Sequence, residues 1–130
     1  MSATLAHLDE RSTTVDAMLR ELLAYEEIFG AVAVNSEGLV LGSAGVVESD
    51  IDVISLMGAS LVGVSERATH RLGTRSPIGL SVVTEDGMIT IRNGGTFALM
   101  VFSVQCDSMM LLDLLREPMY EVRKLLSPVE

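Results

Sequence analysis

The densest run of apolar positions lies over residues 51–72. Placed at 100° per residue, Ile51, Ile54, Met57, Gly58, Leu61, Val62, Val64, Ala68 and Leu72 form one wide stripe, which predicts a helix with a core-facing side. The opposite side is charged only towards its ends, through Asp52, Glu66, Arg67 and His70. Its middle holds Leu56, Ala59, Ser60 and Gly63, which are small or uncharged and share one face. Such a flat patch lets a second helix or backbone come close, and points to a surface built to meet a partner.

The rest of the chain divides at its glycines, prolines and polar clusters. Ser12, Thr13 and Thr14 offer an N-cap for a first helix, with Thr13 and Asp16 resembling a capping box. Val15, Met18, Leu19, Leu22 and Phe29 form its stripe, and Gly30 is its expected end. A hairpin follows, with strands at 31–35 and 39–43 around Ser36-Glu37-Gly38. Ser49 or Asp50 can cap the helix at 51–72, and Gly73 can end it. Strands are predicted at 78–84, 88–93 and 96–104, joined by Glu85-Asp86-Gly87 and Gly94-Gly95. A last helix is expected over 108–126, kinked or broken at Pro118, which removes a hydrogen bond and clashes with the preceding turn.

Side-chain alternation then sets the layers. Phe97, Leu99 and Val101 point one way and Ala98, Met100, Phe102 and Val104 the other, so this strand is covered on both faces. The fold class that follows is α+β: a five-stranded antiparallel sheet with helices on both faces, in the order αββαβββα. The first and last helices should share one side, with the middle helix alone on the other. A single domain is expected at 12–126, between tails at 1–11 and 127–130. The strand at 78–84, with Ile78, Leu80 and Val82, has no charge or proline to discourage edge pairing. At a sheet edge it would suit pairing with an identical strand across a two-fold axis.

Composition narrows the function. The 130 residues carry a net charge of −9 with no basic run, which disfavours nucleic acid and anionic membranes as partners. The longest uncharged stretch, at 93–106, is too short to insert across a bilayer. One cysteine, Cys106, excludes an intrachain disulfide and suits a reducing, cytoplasmic setting. Catalytic chemistry is thinly represented. Cys106 has no histidine near it in sequence, and His7 and His70 stand alone. No spacing suggests a metal site, and Gly38, Gly42 and Gly45 do not form a phosphate-binding loop. No catalytic residue and no cofactor is therefore expected.

The stretch Gly30-Ala-Val-Ala-Val-Asn-Ser-Glu-Gly-Leu-Val-Leu, the small-residue middle helix and the segment 89–102 together resemble the Roadblock family. That family includes the dynein light chain roadblock and prokaryotic MglB-type regulators of small Ras-like GTPases. The resemblance spans about 12–126 and implies a profilin/longin-like Roadblock fold. It also implies a homodimer, in which edge strands join into one sheet and middle helices pack side by side, and binding of a small Ras-like GTPase. Carried onto this chain, the dimer or partner interface would use Leu56, Ala59, Ser60, Gly63 and Arg67, with Ile78, Leu80 and Val82 on the edge strand. Pro118 departs from the pattern. Arg67, Arg71 and Arg75 lie near one helix end, where one could act as an arginine finger; charge complementarity at a helix C-terminus is the simpler account. The alternatives are a scaffold subunit of a larger motor or signalling complex, or a small-molecule sensor domain, which an apolar pocket above roughly 300 Å³ would favour.

Overall fold

Tight turns bring alternating segments together antiparallel, and here they build one sheet. The computed structural model describes residues 14–126. It has a helix over 14–22 (α1), strands Ile28–Asn35 (β1) and Val40–Ala44 (β2), and helix Glu48–Arg71 (α2). Strands Gly79–Val83 (β3), Met88–Asn93 (β4) and Phe97–Ser103 (β5) follow, then helices Ser108–Leu114 (α3) and Arg116–Leu126 (α4). The five strands are antiparallel in the order β2-β1-β5-β4-β3. Ser12, Thr13, His7 and the two expected tails lie outside the described residues.

The central pair sorts the core. Ala31 faces Val101, Val32 faces Met100 and Ala33 faces Leu99. Ala31, Ala33, Leu99 and Val101 pack with Val15, Leu19 and Leu22 of α1 and with Leu111, Leu115, Met119 and Val122 from the C-terminal helical region. On the other face, Val32, Val34, Ile91, Ala98 and Met100 lie under Ile54, Leu61 and Val62 of α2. The outer helices thus share one side and α2 covers the other, as the alternation predicts. Burying an apolar side chain of this size stabilises by roughly 1.5–3 kcal/mol. A strand apolar on both faces is therefore stable only between two layers.

Several boundaries differ from expectation. Helix α1 ends at residue 22, not at Gly30. The amides of Leu23, Ala24 and Tyr25 reach back three residues, to Arg20, Glu21 and Leu22, at 3.0, 3.2 and 3.2 Å, tightening the final turn. β1 then starts at Ile28, which pairs with Ser103, while Val104 N–H donates to the Glu27 carbonyl at 2.9 Å. Ladder pairing with the central strand has overridden the helical spacing that placed Phe29 on the stripe, and Phe29 is exposed.

Helix α2 starts at Glu48 rather than 51, and neither Ser49 nor Asp50 caps it. Val47 is the N-cap and makes no side-chain bond. Glu48 and Asp50 lie instead in the first turn, where negative charge suits the helix dipole. Gly73, at φ 74°, ends the helix as expected: its N–H donates to His70 and that of Thr74 to Thr69, both at 3.0 Å. The C-terminal helix breaks at Leu115, three residues before Pro118, because a proline ring clashes with the carbonyl four residues back, here Leu114, the last residue of α3.

Candidate interaction surface

The position of α2 on the sheet decides which of its sides is free. Gly58 is buried, and a β-carbon there would overlap the Met100 sulfur, so the backbone of α2 approaches the sheet closely at this point. Ser55, one turn earlier, is also fully buried on the sheet side, and its hydroxyl has no partner among the described residues. The outward arc then carries Val53, Leu56, Met57, Ser60 and Val64, with Leu56 58% and Met57 60% exposed. This corrects the assignment of Met57, Val64, Ala68 and Leu72 to the core-facing stripe, since all four are exposed. It makes the outward face more apolar than the small-residue patch alone.

The other candidate residues are distributed around this arc. Leu56, Ser60 and Arg67 lie on it, and the Ser60 hydroxyl donates to the Leu56 carbonyl at 2.9 Å. Gly63 is half-buried, and a β-carbon there would meet only Arg67 Nη1, at 3.6 Å. Ala59 turns inward. It packs on the α2-side core and lines, with Gly63 and Val34, a crevice of about 120 Å³. Glu66 accepts from Asn93 Nδ2 at 3.1 Å, and the same amide nitrogen donates to the Pro77 carbonyl at 3.0 Å, tying α2 to the approach of β3.

β3 is a sheet edge, which meets the condition set for pairing with an identical strand. It is shorter than the expected 78–84, and Ile78 lies just before it. Leu80 pairs with Ile91 and packs against the α2-side core; Val82, two residues on, shares that face and is 38% exposed. Ser81 points the other way, where its hydroxyl lies 3.2 Å from that of Thr90. The fold therefore brings the candidate α2 and β3 residues to one side of the molecule. Sequence reasoning missed Val53, Met57 and Val64 as surface residues. Their spacing with Ser60 forms a helical stripe of its own and was the available signal.

An open apolar groove of about 340 Å³ lies near the start of α2, lined by Phe29, Val46, Val47, Ile54 and Phe102, with Asp50 at its side. Arg67, His70, Arg71 and Arg75 lie along the end of α2 and the loop after it, with Arg71 and Arg75 exposed. Cys106 is half-buried, with its sulfur 3.8 Å from the Ser103 hydroxyl. No group of three or more His, Cys, Asp or Glu among the described residues is arranged to hold a metal. No helix among them is long and apolar enough to cross a membrane.

The family model for the Roadblock/LC7 domain matches residues 14–103, from α1 to the end of β5. The chain belongs to the Roadblock/LC7 family. Solved structures agree on the fold. A Roadblock/LC7 domain from Streptomyces avermitilis superposes with a TM-score of 0.79 at 19% identity, covering 85% of this chain and 96% of that one. Myxococcus xanthus MglB gives 0.77 at 16% identity, covering 93% and 96%. The gliding protein MglB from Thermus thermophilus gives 0.73 at 13%, covering 88% and 90%. No curated protein matches the chain. The family match stops before α3, so Pro118 and the C-terminal helices lie beyond it.

Proposed function

We propose that this Roadblock protein is a non-catalytic, dimeric, cytoplasmic adaptor that binds a small Ras-like GTPase and modulates its activity. The observation that carries the reading is the outward arc of α2, where Val53, Leu56, Met57 and Val64 stay exposed beside the edge strand β3. Contiguous apolar surface of this kind marks a protein interface. Similarity to MglB structures, one of which has a tetrameric arrangement, supports self-association.

In this reading Leu56, Ser60 and Gly63 form the centre of the interface, with Gly63 setting how closely the partner backbone approaches, while Ala59 packs inward beneath them. Ile78, Leu80 and Val82 extend it along β3. Arg67 lies at the end of the arc, where a nucleotide-bound partner would meet positive charge. The adaptor acts by favouring one conformation of the GTPase switch segments.

Sedimentation should give a dimer. A GTPase recovered with the protein from its own lysate should show altered hydrolysis or exchange when the protein is added back. A monomer in dilute solution would defeat the dimer. A bound GTPase with unchanged nucleotide kinetics would favour the scaffold reading. The groove beside Phe29 is the observation that favours the sensor reading. It is open, however, and small-molecule sites typically bury roughly 70–90% of their ligand.

A further inference from the structure

The face opposite α2 carries a second depression with different chemistry. Between α1 and α4, Met18, Leu22, Leu114 and Pro118 are buried or half-buried beneath an opening of about 270 Å³. Glu21 and Glu117 are exposed on its lining and Glu121 is half-buried there. No lysine or arginine among the described residues lines it. The nearest ion pair is Glu121 with Lys124 at 3.2 Å, and Lys124 also lies over the Tyr120 ring at 4.8 Å. Glu21 and Glu117 have no such cation among the described residues.

We propose that this groove docks a short basic segment of a partner protein. An apolar side chain of the segment sits on Met18, Leu22, Leu114 and Pro118, and flanking Lys or Arg side chains meet Glu21 and Glu117. Charge complementarity selects this occupant: three lining carboxylates on a chain of net charge −9 attract a cationic segment and repel an acidic one. Size points the same way, because the volume is below the roughly 300 Å³ at which small-molecule sites begin but suits one anchoring side chain. The groove lies across the sheet from the α2 arc, so the inference does not rest on the dimer or on the GTPase.

The test uses the full chain and a labelled peptide of about a dozen residues, a central Leu flanked on both sides by Lys and Arg, read by fluorescence anisotropy. Binding is expected to weaken about tenfold in a Glu21→Gln/Glu117→Gln double variant, and by a similar factor when the central Leu is replaced by Gly. Both glutamates are exposed, so the variant should keep the wild-type melting curve and sedimentation. Backbone amide shifts on titration should concentrate at Met18, Glu21, Leu22, Leu114 and Glu117. Equal affinity of wild type and variant would show attraction to net charge alone and overturn the proposal. So would shifts centred on Glu48 and Asp52, no binding at about 1 mM peptide, or the same shifts produced by Ca²⁺ without peptide.

Discussion

On the α1 side of the sheet, Val15, Leu19, Leu111, Leu115 and Val122 meet Leu99 and Val101 with almost no surface left to solvent. On the α2 side, Val32, Val34 and Ile91 are buried just as deeply, but by a helix that keeps Ile54, Leu61 and Val62 only half covered. Beyond them Val53, Leu56, Met57 and Val64 are bare. Several helical segments wedge together to close one face, whereas a lone helix shields the sheet and none of the described residues shields the outer side of that helix. One chain completes its core on one side and leaves the other unfinished. That asymmetry is the physical basis for expecting a second protein on α2.

The largest effect should come from the finished face. Leu99→Ala removes a fully buried side chain between α1 and α4 and should cost about 2–5 kcal/mol in urea denaturation. A loss below about 1 kcal/mol would mean that this face collapses easily, and the contrast would weaken.

Two glycines on α2 sharpen the comparison. Gly58→Ala drives a methyl into Met100; overpacking of about 1–3 kcal/mol outweighs the roughly 1 kcal/mol gained in helix propensity, for a net loss of up to about 2 kcal/mol. Gly63→Ala meets only Arg67 and should gain about 0.5–1 kcal/mol in the same urea denaturation assay. Equal effects at the two sites would contradict the seating of α2 described above. Ser55→Ala removes a buried hydroxyl without a partner among the described residues and should stabilise by up to about 1 kcal/mol.

The smallest changes in monomer stability belong to the outward surface. Met57→Glu and Val82→Arg should each shift it by about 0.5 kcal/mol or less, and Gly63→Leu should gain no more than Gly63→Ala. Each of the three should nevertheless shift sedimentation from dimer to monomer. Variants that keep wild-type mass would leave the α2 arc and β3 without their proposed role.

Much of the architecture was legible because it rests on local signals. β4 and β5 were readable from alternation bounded by Gly87 and Gly94-Gly95, and the end of α2 from Gly73. The end of α1 was not, because Ile28 joins a ladder whose other strand lies far along the chain, and helical spacing carries no trace of that pairing. The arc of α2 was misjudged for a related reason. Apolar residues nearly surround this helix, and the close approach at Gly58, rather than hydrophobicity, decides which of them meet the sheet. Ala59 and Leu80, expected at an interface, therefore pack onto the chain's own core, while Met57 and Val64 face outward.

The strand order has a consequence for how the molecule is made. β1, synthesised well before β5, takes it as its inner neighbour, and β5 also holds β4 and β3 to the rest. Until β5 leaves the ribosome, β1–β2 and β3–β4 exist only as separate hairpins, each marginal in water. The nascent chain must carry Val32 and Val34 unsheltered by their inner neighbour until β5 is made, and premature termination before β5 should yield a product that aggregates rather than one that half folds.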